Sequence, residues 1–80
     1  MRIKILFFAG LKELFGPSRL LDTQENSTIG EVIDLLTRES NKFFLEKALL
    51  IYAVNENFET AEKKLKNGDE LALMTPMSGG

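Results

Sequence analysis

Residues 27–40 read STIGEVIDLLTRES, and this stretch decides the fold. Thr28 stands three residues before Glu31. At that spacing a hydroxyl caps the first turn of a helix while the carboxylate reaches back to the capping residue's own N–H. Ile29, Val32, Ile33 and Leu36 recur at helical spacing and mark one buried stripe. Glu31, Asp34, Arg38 and Glu39 fall on the wet side, and Ser40 and Asn41 end the helix. A single apolar stripe needs a surface to cover it, and the flanking segments must supply that surface.

Toward the N-terminus, residues 2–8 alternate as a strand does. Ile3, Ile5 and Phe7 share one face, and Arg2, Lys4, Leu6 and Phe8 share the other. Residues 9–15 fit a short helical turn with Leu11, Leu14 and Phe15 facing inward, stopped by Gly16 and Pro17. Residues 20–23 read as a second strand, antiparallel to the first, followed by polar loop.

Beyond the helix, residues 42–47 contain Phe43, Phe44 and Leu45 and fit either a short helix or an extended loop. Residues 49–54 are almost continuously apolar, which predicts a strand buried on much of both faces. Asn55, Glu56 and Asn57 make a turn, and residues 58–61 a brief edge strand. Lys63, Lys64 and Lys66 surround Leu65, which tucks inward while the lysines stay in water. Asn67, Gly68 and Asp69 form a tight turn, and residues 70–74 a last strand with Leu71 and Leu73 inward. This order predicts an α+β fold: a mixed sheet of four to five strands with one main helix packed across it. The first and last strands lie side by side at its centre. Residues 1–80 are expected to form a single domain with a flexible tail over 75–80.

Composition removes several kinds of chemistry. There is no cysteine and no histidine, so disulfides, thiol nucleophiles, histidine acid–base catalysis and His/Cys zinc sites are excluded. The acidic residues are scattered, and no metal site is expected. A net charge of −2 argues against nucleic acid as the partner. The longest apolar run is far short of the ~20 residues that cross a bilayer, so no membrane role and a cytoplasmic location are expected. A self-contained enzyme is not expected.

The final residues, Met74, Thr75, Pro76, Met77, Ser78, Gly79 and Gly80, make a thin and extendable thread. Glycine carries no Cβ, and Pro76 lacks the donor that would continue strand pairing. A carboxylate at Gly80 would be ionised at neutral pH, since its reference pKa is about 3.5. On so slim an arm it could enter a partner's pocket. Leu6, Phe8, Ala72 and Met74 point away from the helix by the alternation above and predict an exposed apolar patch beside the root of the tail. Pro76 and Met77 extend that surface, and the flexible thioether of Met77 suits a partner's groove.

Taken together, Leu6, Phe7, Phe8 and Ala9, then Lys12, Glu13, Leu14 and Gly16, then Ala53, Val54 and Asn55, then Gly68, Asp69 and Glu70, and last Pro76 to the glycine pair, carry a resemblance over essentially the whole length. The chain resembles the β-grasp, ubiquitin-like sulfur carriers, and most closely the MoaD-type small subunit of molybdopterin synthase. Thr75 stands where that family usually has the first of two prolines.

The resemblance implies a function. An E1-like adenylyltransferase would use ATP to convert the Gly80 carboxylate to an acyl adenylate. A persulfide sulfur donor would then leave a thiocarboxylate on Gly80, with Gly79 serving by its thinness. The large synthase subunit, in a heterotetramer, would receive the tail and supply the catalytic groups, passing sulfur to a cyclic pyranopterin phosphate for the molybdenum cofactor. The chain itself would bind no cofactor and would not be catalytic alone. Alternatives are a carrier for thiamine synthesis or tRNA thiolation, a ubiquitin-like modifier joined to lysines through Gly80, and a plain β-grasp binding module.

Overall fold

The computed structural model describes residues 1–40 and 50–75. The segment 42–47 and residues 76–80 of the tail lie outside the described residues. The elements run β1 (Arg2–Phe7), α1 (Gly10–Phe15), β2 (Ser18–Asp22), α2 (Ile29–Ser40), β3 (Ile51–Val54), β4 (Asn57–Glu59) and β5 (Glu70–Met74). The strands form one five-stranded sheet in the order β2-β1-β5-β3-β4. β1 and β5 are parallel, and the other neighbours are antiparallel. The first and last strands therefore do share the centre, and α2 packs across one face. This is the ubiquitin-like β-grasp arrangement.

The alternation in β1 decides which face is covered. Ile3, Ile5 and Phe7 join Leu71 and Leu73 of β5, Tyr52 and Val54 of β3 and Leu21 of β2 against Ile29, Val32, Ile33 and Leu36 of α2. All four residues of the helix stripe are 1% exposed or less. The capping pattern forms as its spacing requires. The Thr28 N–H donates to Glu31 Oε1 at 2.9 Å, and the Glu31 N–H donates to Thr28 Oγ1 at 3.2 Å. The Thr28 N–H first, and second the Thr28 hydroxyl, which donates to the same oxygen at 3.1 Å, hold the Glu31 carboxyl below its ordinary value. No buried side-chain nitrogen or oxygen among the described residues lacks a hydrogen-bond partner.

Four expectations are corrected. β2 spans Ser18–Asp22 rather than 20–23, because its pairing with β1 already begins at Leu6 opposite Ser18. Leu14 is 44% exposed rather than inward. Leu11 and Phe15, four residues apart, take the one inward stripe of this six-residue helix, and Phe15 stacks on Phe7 with ring centroids 4.9 Å apart. The edge strand is Asn57–Glu59 rather than 58–61. Within β3, Ile51 is exposed, so burial on both faces is confined to its later residues.

Two turns set the other geometry that matters. Asn55 and Glu56 both have positive φ, 50° and 72°, which is the type I′ turn that suits the twist of a two-residue hairpin. Leu65 is 1% exposed, and its N–H donates to the Ser27 carbonyl at 2.8 Å. That anchor holds the lysine-bearing segment under the start of α2.

Candidate partner-docking face

Strand pairing lays the uncovered side of the sheet out in rows. Leu6 stands opposite Ser18 on one side and Ala72 on the other. Ala72 stands opposite Ala53, and Ala53 opposite Phe58. Residues in register share a face, so one row crosses all five strands from Ser18 to Phe58. The next row pairs Met74 with Ile51. Phe8 follows β1 at the same end, its N–H donating to the Leu73 carbonyl at 3.3 Å.

No element among the described residues covers these side chains. Phe8 is 45% exposed and Phe58 77%, while Leu6, Ala72 and Met74 are half-buried by their neighbours within the sheet. The row on the far side, Leu20, Lys4 and Glu70, ends the apolar surface with opposite charges. Beyond it Arg2 binds Asp22, Nε to Oδ1 at 3.0 Å, and that contact holds the Asp22 carboxyl below its ordinary value.

The structure thus gathers Leu6, Phe8, Ala72 and Met74 on one face. Because β1 and β5 are parallel, their C-terminal ends coincide. The chain leaves β5 at Thr75, exposed, at the end of the face that carries Phe8, Met74 and Ile51. Pro76, Met77, Gly79 and Gly80 lie outside the described residues.

Sequence reasoning missed Ile51, Phe58 and Leu20 on this surface. For Phe58 a signal was available: a two-residue turn at Asn55 and Glu56 puts Phe58 opposite Ala53, and Ala53 alternates with the inward Tyr52 and Val54. Phe58 also borders an apolar cleft of about 440 Å³ with Leu50, Ile51, Tyr52 and Ala61. Burial first, and Glu62 second, push the Tyr52 hydroxyl above its ordinary value, so this cleft offers no phenolate near neutral pH.

The face carries leucine, phenylalanine, alanine, methionine and isoleucine. It can bury apolar surface against a partner, and full burial of a side chain such as Phe58 contributes about 1.5–3 kcal/mol. Ser18 at one edge is the one hydroxyl in the row that crosses the sheet. Neither a group of three metal-ligating residues nor a helix long and apolar enough to cross a membrane is present among the described residues.

Fold and face together define a ubiquitin-like β-grasp domain with one apolar sheet surface open at the root of its C-terminal segment. The ThiS family model matches residues 5–80, and the chain belongs to that family. It is 34% identical over 80 residues to a protein of Haemophilus influenzae named molybdopterin synthase sulfur carrier subunit, covering 98% of this chain and 99% of the relative. Among solved structures it resembles small archaeal modifier protein 1 from Methanosarcina acetivorans, with 26% identity, a TM-score of 0.76, and coverage of 99% of this chain and 96% of that one. The fold is also that of a chain in the complex of subunits 1 and 2 of molybdopterin-converting factor from Helicobacter pylori, at 22% identity and a TM-score of 0.67 with both chains fully covered.

Proposed function

We propose that this chain is the sulfur-carrier subunit of a molybdopterin synthase, acting in the cytoplasm. The observation that carries the reading is its 34% identity, over nearly the full length of both chains, to a sulfur-carrier subunit of that enzyme. The open apolar face at the root of the tail supports it.

In this role the Gly80 carboxylate attacks the α-phosphorus of ATP on an E1-like adenylyltransferase, and pyrophosphate leaves. The outer sulfur of a persulfide donor attacks the acyl carbon and AMP leaves, giving an acyl disulfide. A second thiol then attacks the donor's sulfur, so that the donor side ends as a disulfide and Gly80 carries a thiocarboxylate. The large synthase subunit receives the tail in a heterotetramer and transfers the sulfur to a cyclic pyranopterin phosphate. Leu6, Phe8, Ala72, Met74, Pro76 and Met77 contact the partners, and Gly79 keeps the thread narrow. The chain binds no cofactor itself, ATP being held by the activating partner, and it is not catalytic alone.

Incubation with an E1-like enzyme, ATP, a persulfide donor and a thiol reductant, followed by intact mass spectrometry, tests this. The expected product is the chain with one oxygen replaced by sulfur at Gly80. Deleting Gly80 is expected to abolish the product and leave the fold intact. An unchanged mass in the complete mixture would refute the carrier role. Lysine-linked adducts would instead indicate a modifier, the role named for the archaeal neighbour.

A further inference from the structure

β1 passes into α1 through Phe8, Ala9, Gly10 and Leu11, a turn closed by the Leu11 N–H donating to the Phe8 carbonyl at 3.2 Å. Ala9 sits at φ 54°, ψ −130°. Those angles belong to the first central position of a type II′ turn, which glycine occupies freely and an L-residue does not. Gly10 has no positive φ and opens α1. A Cβ built there would meet nothing within 4 Å. The glycine therefore stands one residue past the position that needs it.

Rotation of the one peptide plane between Ala9 and Gly10 resolves this mismatch. It converts type II′ to type I′. Ala9 then enters the left-handed helical region, which is a small allowed region for alanine. Gly10 takes the positive φ for which glycine is the preferred residue. The Lys12 N–H loses its 3.0 Å bond to the Ala9 carbonyl, and the first turn of α1 opens. Buried packing is untouched: Leu11 is 3% exposed, while Ala9 and Gly10 are both exposed, so the freed groups meet water.

We propose that the Ala9–Gly10 peptide is a two-state backbone switch, and that a protein partner seated on the open sheet face selects the flipped turn. This rests on the docking role assigned above to that face and deepens it. Phe8 begins the turn and belongs to the face, so a partner covering Phe8 and Met74 lies against the turn. Release of the strain at Ala9 keeps the flipped state within thermal reach of the free chain. The flip turns the exposed Ala9 carbonyl and Gly10 N–H to new directions beside Phe8, so a partner lying against the turn makes different contacts with the two states.

Gly10→Ala separates the two turns. The resting turn accepts the added methyl group, so folding and Tm are expected to be unchanged or raised. The flipped turn would place alanine at positive φ, lowering its population about 5- to 30-fold. Relaxation dispersion at the Gly10 and Leu11 amides of the free wild-type chain is expected to report exchange, and the same two backbone amides in the variant to report none. Calorimetric titration with purified large synthase subunit is expected to show about 5- to 30-fold weaker binding by the variant. Absence of exchange in the wild type, or equal affinity of the two chains, overturns the switch. If the wild type binds no large subunit, the docking role fails instead, and the exchange measurement still decides whether the peptide flips.

Discussion

Replacing Asn55 by alanine tests what joins the two ends of the sheet's lower edge. The Asn55 side chain donates from Nδ2 to Asp69 Oδ1 at 2.9 Å and accepts from the Glu70 N–H at Oδ1 at 3.0 Å. It does so from φ 50°, a conformation that asparagine tolerates better than alanine. Each hydrogen bond contributes about 0.5–1.5 kcal/mol net, and the backbone preference adds up to about 1 kcal/mol. The two bonds are solvent-exposed, which favours the lower half of the range. The expected loss is about 2 kcal/mol, a large fraction of the stability of so small a domain. For this size it corresponds to a fall in Tm of roughly 8–16 °C. Urea denaturation of wild type, Asn55→Ala and Asn55→Gly measures it. Glycine takes the positive φ without steric strain but adds unfolded-chain entropy, so Asn55→Gly should lose the hydrogen-bond part plus about 0.4–1 kcal/mol. A loss below about 0.5 kcal/mol for Asn55→Ala, the scatter of ordinary surface substitutions, would show that water replaces both bonds and that the asparagine clamps nothing.

Thr28→Ala removes the hydroxyl half of the reciprocal cap of α2 and should cost about 1 kcal/mol by chemical denaturation. Glu31 and Asp22 both have carboxyls held below their ordinary values in the folded chain. A depressed carboxyl stabilises above its unfolded pKa, and the stabilisation is lost as pH falls through the folded pKa. Stability should therefore decline from about pH 4.5 downward. In Thr28→Ala the decline should be somewhat shallower, because the hydroxyl's part of the Glu31 contribution is lost while the larger part, from the Thr28 N–H, remains, and an identical slope would refute a role for the hydroxyl. Glu56→Gly, at φ 72° in the type I′ turn, should raise stability by about 0.5–1 kcal/mol in the same denaturation assay. Leu65→Ala, which removes the buried anchor of the lysine segment, should lower it by about 2–5 kcal/mol.

Local chemistry was the legible part of this fold. Thr28 and Glu31 are three residues apart, so their mutual bonds follow from helix geometry alone, and the stripe from Ile29 to Leu36 follows from helix period. The central pairing of β1 with β5 was also legible, because one helix leaves few ways to cover a sheet of this strand order. Register was not. Whether β2 begins at Ser18 or Leu20 depends on its partner across the sheet, which periodicity within the segment does not reveal. Leu14 was misread because three apolar residues were assigned to a stripe that a helix of one and a half turns fills with two. The open apolar face was half legible. Leu6, Phe8, Ala72 and Met74 alternate visibly, whereas Phe58 joins them only through pairing with Ala53. Asn55 stood within the family resemblance, yet its bond to Asp69, fourteen residues on, required the fold itself.

β5 is last in sequence but third of five in space. During synthesis the β2–β1 and β3–β4 pairs can form early, with a gap between them the width of a strand. Each pair alone is a two-stranded ribbon, which is marginal in water. The nascent chain must therefore wait for residues 70–74 to clear the ribosome before its sheet can close. A premature stop inside that segment would leave two marginal ribbons with no strand to join them, rather than a slightly shortened domain.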